Sequence, residues 1–287
     1  MDLEKIVKQI IDEVMRNQES TFIPKSDERS KRTVHFPEEF EMGVENPYKE
    51  EAIRHAQSIT PARIGIGRAG SRMKTQSYLQ FRIDHAAAQD AVRKDVNPEV
   101  IEALDLPILE TRAESLKNYL MDLDAGRKLS DRSKEWLQKN GEKDVQVQIL
   151  VCDGLSSSAV EANVGDLLPA LTQGLLLKNI KVGKPLFIKR ARVWVQDEVA
   201  QLLNAEFVIS LIGERPGLNT DESMSAYMVY KPTDKTVEAD RTVISNIHKE
   251  GLAPVEAGAH LSGLIEKMLQ AKSSGVAFAR QNNLQDV

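Results

Sequence analysis

The sequence predicts an α/β protein whose C-terminal half is a doubly wound, mostly parallel sheet, preceded by a mainly helical stretch. Three observations carry this. From about residue 144 onward, short apolar runs alternate with helical patterns, the arrangement of βαβ units. The run "AEFVISLIG" shows almost no polar alternation, as expected of a strand covered on both faces. Upstream, residues 46–143 carry helical periodicity instead, in "YLQFRIDHAAAQDAVRKDV" and "TRAESLKNYLMDLDAGRKL".

The elements follow in order. Residues 1–20, "MDLEKIVKQIIDEVMRNQES", place Leu3, Ile6, Val7, Ile10, Ile11 and Val14 at steps of three and four, with acids and lysines between. This predicts an amphipathic helix. Residues 21–45 are polar with two prolines and read as a linker, so the helix is expected to dock onto something else. After the helical stretch, "VQVQILVCDG" is a strand ending in an Asp153-Gly154 turn. "SSSAVEANVGDLLPALTQGLLLKN" is a helix with Ser156 to Ser158 as candidate caps. "KPLFIKR" is a strand, "VWVQDEVAQLLN" a helix, "AEFVISLIG" and "AYMVYKP" strands, and "PVEAGAHLSGLIEKMLQAK" a closing helix. In such sheets, ligands sit at the carboxyl ends of the strands.

Composition excludes several functions. With 38 basic and 43 acidic residues the net charge is −5, which gives no footprint for nucleic acid or an anionic membrane. Aromatics at 5% do not supply a base-stacking platform. A single cysteine, Cys152, rules out an internal disulfide and a cysteine-based metal site, and fits a reducing compartment. No apolar run approaches the roughly 20 residues that cross a bilayer.

Candidate chemistry is sparse. "GIGRAG" (Gly65 to Gly70) matches G-x-G-x-x-G, and Asp84 follows about 20 residues on. No full strand feeds it, however, and Arg63, Arg68, Arg72 and Lys74 crowd it. It reads as a structural turn or an interface loop. The histidines 35, 55, 85, 248 and 260 have no metal-ligand spacing. Glu238 and Asp240 could be an acid/base pair; an Asp-Arg ion pair with Arg241, pinning a turn, fits the composition better. There is no G-x-S-x-G and no P-loop. No catalytic set and no metal site emerge, as in an enzyme subunit whose catalytic groups lie on another chain. A stand-alone dinucleotide-binding enzyme and a non-catalytic scaffold protein are the alternatives.

At "IGERPGL", "TVEADRT", "ISNIH" and "APVEA" the chain resembles the small subunits of ethanolamine ammonia-lyase, and "RIGIGRAG", "DHAAAQDAV" and "LSDRSKEWL" are similar to the same family's helical domain. The likeness runs from about Ala62 to the C-terminus. It implies an adenosylcobalamin-dependent conversion of ethanolamine to acetaldehyde and ammonia by a radical route. It also implies a Rossmann-like C-terminal domain, 144–287, holding the cobalamin against a large TIM-barrel subunit that binds the substrate. Three cofactor contacts carry over: Val193 after "KRAR", Glu214 of "GERPG", and Val243 after "ADRT". At the last position the family often has cysteine, so an apolar or backbone contact is implied. Valine methyls suit the corrin edge, and a carboxylate suits the rim amides. Pro216 and Gly217 are expected to stiffen the turn that presents Glu214. No histidine follows an aspartate in the D-x-H-x-x-G pattern, so the cofactor is expected to keep its own lower base. The N-terminal helix resembles the signals that direct such enzymes into bacterial microcompartments in the cytoplasm.

Overall fold

The structure is a computed structural model that describes residues 42–60 and 62–283. The amphipathic segment 1–20, and the linker as far as residue 41, lie outside these residues. The described residues fall into two compact units, one of residues 91–216 and 221–283, the other of 42–90 and 217–220.

The larger unit is a mixed α/β body with a parallel-rich sheet. Its strands are β3 (Ile108–Glu110), β4 (Val147–Cys152), β5 (Leu186–Lys189), β6 (Phe207–Gly213), β7 (Met224–Tyr230) and β8 (Thr242–Ile247), in the spatial order β3-β5-β4-β6-β7-β8. β3, β5, β4 and β6 run parallel, β7 pairs antiparallel with β6, and β8 pairs antiparallel with β7. Two features go beyond the sequence reading. β3 arises inside the stretch read as mainly helical, and the sheet closes on an antiparallel edge. The helical reading of "TRAESLKNYLMDLDAGRKL" shrinks to Leu116–Met121, which Ser115 caps and Asp122 ends in extended backbone.

Why β4 and β6 lack alternation is visible in the packing. Val147, Ile149 and Val151, with Phe207, Ile209 and Leu211, face one core. Leu150, Cys152, Val208 and Ile212 face the other. Helices Ser157–Leu177 and Pro254–Ala271 cover the first face, and Asp131–Asn140 and Val195–Leu203 the second. Gly258 lets the first two helices close up, since a Cβ there would meet Ala170 Cβ at 2.7 Å. Ser156 caps Ser157–Leu177 by accepting from Ala159 N at 3.1 Å.

The smaller unit has helix Glu50–Ser58, the hairpin of β1 (Arg68–Ala69) and β2 (Arg72–Met73), and most of helix Thr75–Arg93. "GIGRAG" is a loop and hairpin here, not a strand-to-helix turn. Gly65, Gly67 and Gly70 take positive φ, and a Cβ on Gly67 would collide with the Gly43 carbonyl. The glycines therefore serve backbone geometry. Arg63 is held by Asp84 and donates to Leu218 O at 3.0 Å.

Candidate functional site

Strands β4, β5 and β6 end together, and the residues just past their ends line a groove of about 490 Å³. Val193, Arg192 and Trp194 come from the turn after β5; Ile212, Glu214 and Arg215 from β6 and its continuation. Ser225 and Tyr227 come from β7 and Ser245 from β8.

The β6 end is set by two facing glycines. A Cβ on Gly213 would collide with the Ser156 and Asp153 carbonyls, and one on Gly154 with the Gly213 carbonyl. The turn after β4 thus occupies the space a side chain at 213 would need, and the next side chain, Glu214, enters the groove.

Glu214 is half-buried and fixed by three donors. Its Oε1 accepts from Ser225 Oγ at 2.6 Å and from Asn246 N at 3.0 Å, and its Oε2 accepts from Ser223 Oγ at 2.9 Å. Ser245 Oγ lies 3.0 Å from Ser225 Oγ, whose single proton is given to Glu214, so Ser245 donates in turn. Rigidity therefore comes from donors on β7 and β8 rather than from Pro216 and Gly217 alone. Glu214 neither pairs with Arg215 nor caps a helix. A carboxylate has about four acceptor positions; three are filled, leaving one on Oε2. Burial raises the Tyr227 phenol, and the Glu214 charge raises it further.

The opposite wall is built from farther apart in sequence. Asp153, at the end of β4, accepts from Arg190 N at 2.7 Å and Ala191 N at 3.1 Å. It thereby holds Arg190 at a φ of 56°. Burial pushes this carboxyl up to about 6, although the backbone donors at 190, 191 and 154 work the other way. Tyr119 shares its hydroxyl proton between Gly154 O (2.8 Å) and Ala191 O (2.9 Å), joining the two turns. Arg192 N donates to Gly126 O at 2.8 Å. Together these contacts place Arg192 and Val193.

Of the three carried-over positions, Val193 and Glu214 line the same groove. Val243 is not among the lining residues. It sits on β8 directly opposite Tyr227, which is a lining residue, and is 39% exposed. Glu238 and Asp240 form no pair: Glu238 accepts from Trp194 Nε1 at 3.1 Å, and Asp240 accepts from Val237 N at 2.9 Å. Arg241 binds Asp197, not Asp240, at 2.8 and 2.6 Å. Sequence reasoning missed Asp153, Tyr119, Arg192 and the serines of β7 and β8. The period of two in "SMSAYM" is the only signal for Ser223 and Ser225. Among the described residues no three His, Cys, Asp or Glu side chains are grouped to hold a metal, and no helix is long and apolar enough to cross a membrane.

Fold and groove define the class: an α/β protein with a mixed polar and apolar groove at the carboxyl end of a parallel-rich sheet. A family model described as ethanolamine ammonia-lyase light chain matches residues 50–279. The ethanolamine ammonia-lyase small subunit of Clostridium tetani is 50% identical over 235 residues, 81% of this chain and 79% of that one. The small subunit of Clostridium perfringens is 44% identical over 276 residues, 96% and 92% of the two chains. The small subunit of Listeria monocytogenes serovar 1/2a is 44% identical over 233 residues, 81% and 80%. The chain belongs to the ethanolamine ammonia-lyase light-chain family.

Proposed function

We propose that this chain holds adenosylcobalamin against a large TIM-barrel subunit in the conversion of ethanolamine to acetaldehyde and ammonia. The observation that supports this most is the meeting of Val193 and Glu214 on one groove at the strand ends. The residues fit one edge of such a cofactor. Val193 and Ile212 offer methyls to a corrin edge, and the remaining acceptor position of Glu214 suits a rim amide, a charge-assisted bond of about 1.5–3 kcal/mol. Val243 adds apolar surface beside Tyr227. A groove of about 490 Å³ takes an edge rather than a whole corrin, which suits a cofactor shared between two subunits. When bound, adenosylcobalamin supplies the radical that takes hydrogen from the substrate. This chain binds and orients, and substrate contacts belong to the partner.

In this reading residues 144–287 form a Rossmann-like cobalamin-binding domain and 46–143 a mainly helical one, with a linker at 21–45. Residues 1–20 act as a helix that directs the complex into a bacterial microcompartment in the cytoplasm. Deleting 1–20 should abolish packaging and leave turnover unchanged; loss of turnover would count against that role.

The test is to co-express the chain with a large subunit, purify the complex and add adenosylcobalamin. Visible spectra and acetaldehyde release would be recorded, with each chain alone as control. Cofactor retention and turnover only in the complex support the reading. A complex that stays colourless and inactive supports a scaffold instead.

A further inference from the structure

Glu214, the carboxylate that lines the groove, is occupied by three donors, but the groove's cations meet no carboxylate among the described residues. Two arginines line the same groove. Arg192 donates through Nη2 to Tyr119 O at 2.9 Å, and its guanidinium lies 4.5 Å from the centre of the Tyr119 ring. Gly126 makes room for this stack, since a Cβ there would meet Arg192 Cγ at 2.7 Å. The Nε of Arg192 is buried without a partner, and its Nη1 has none among the described residues. Arg215 is exposed and likewise makes no ion pair or hydrogen bond among the described residues.

Two nearby arginines, Arg190 and Arg127, also keep a buried Nε without a partner but do not line the groove, so what sets Arg192 apart is its place there. Arg190 gives Nη1 to the carbonyls of Ala113 and Glu114, and Arg127 pairs with Asp124 while covering the Trp194 ring. Arg192 is thus a guanidinium held by a carbonyl and a ring, on a residue that lines the groove, with no anion among the described residues to meet it. A pre-oriented guanidinium of this kind suits an oxyanion.

Resting on the reading that the groove takes the edge of a cobalamin, we propose that Arg192 and Arg215 form an anion subsite. It takes the phosphodiester that joins the corrin to its nucleotide tail. The assignment follows from charge. The rim amides of the corrin are neutral, and Glu214 is the acceptor that serves them. The phosphodiester is the anionic group on the cofactor's periphery, and so the one that two unneutralised guanidiniums select.

The experiment uses the complex with the large subunit and two probes, cyanocobalamin and dicyanocobinamide; the second has the same corrin without phosphodiester or nucleotide. Each is titrated by visible absorbance. Arg192→Gln should weaken cyanocobalamin about tenfold or more and leave dicyanocobinamide nearly unchanged, while Arg192→Lys recovers part of the loss. Arg215→Gln, at an exposed position that folding does not depend on, should shift cyanocobalamin alone by a smaller factor. Equal losses for both probes would mean that Arg192 only shapes the groove, and would overturn the subsite. So would unchanged affinity for both in the two glutamine variants. If the unsubstituted complex bound neither corrin, the cobalamin reading itself would fall.

Discussion

Arg241 and Asp197 form a bidentate pair across the edge of the sheet, Nη1 to Oδ1 at 2.8 Å and Nη2 to Oδ2 at 2.6 Å. The pair ties the start of β8 to helix Val195–Leu203. Gln196, with its amide oxygen toward Arg241, accepts from Nη1 at 2.7 Å and donates to Ser210 Oγ and Tyr227 O. Only 2% of the Arg241 side chain is exposed. Asp197→Ala should therefore destabilise the chain by about 3–5 kcal/mol, because it strands a buried cation. Replacing both partners, as Asp197→Leu with Arg241→Met, should recover most of that. Denaturant unfolding of the single and double variants checks this; equal losses in both would refute it.

Gly213→Ala tests why β6 stops where it does. The added methyl runs into the carbonyls of Asp153 and Ser156, both backbone atoms that cannot swing aside. A cost of about 1–3 kcal/mol is expected, with the Glu214 donors displaced. Gly165→Ala is the control, because nothing lies near its Cβ and the site is helical. It should be neutral or slightly stabilising by thermal melting.

Asp153 gives a pH signature. Its carboxyl is raised from 3.8 to about 6 in the folded chain by burial. The folded state then holds this proton more tightly than the unfolded one. Its contribution favours folding most below pH 3.8 and declines as pH rises to about 6, then levels off. The gap corresponds to about 3 kcal/mol. Asp153→Asn removes this slope, while costing about 1–3 kcal/mol because one of the two backbone donors at 190 and 191 loses its acceptor. Unfolding free energies between pH 4 and 7, compared for the two proteins, are the measurement. A slope that persists in the asparagine variant would show that it arises elsewhere.

Asn163 holds the returning chain. Its Nδ2 donates to Ala159 O at 2.8 Å and to Glu222 O at 2.6 Å, and Ser156 donates to the carbonyl of Asp221. Asn163→Leu should unfasten the segment before Ser223, cost about 1–2 kcal/mol, and speed amide hydrogen exchange at residues 221–223 more than in β4. Uniform acceleration across the sheet would contradict this.

Legibility followed burial. β4 and β6 were readable because both faces are covered, so every position is apolar or paired. β3 was not, because three residues after Pro107 carry no pattern of their own and become a strand only against Leu186–Lys189. The helix drawn over 111–129 overran because its periodicity continues past Asp122, while the chain turns there. At the site, Val193 and Glu214 came from motifs that resemble a family. Tyr119 and Arg192 lie 73 residues apart in sequence and meet on one wall only in the fold, and Asp153, between them in sequence, acts on that wall through its bonds to Arg190 N and Ala191 N. The ion pair expected between Asp240 and Arg241 does not form, because Arg241 pairs with Asp197, 44 residues away in sequence.

The three donors that hold Glu214 also fix what its engagement would cost. A free surface glutamate must give up rotamer freedom when a ligand grips it, about 0.5–1.5 kcal/mol for an immobilised side chain. Here the folding of β7 and β8 has already settled that loss. The carboxylate waits in one orientation, so a ligand meeting it needs to displace only water from a single lone pair.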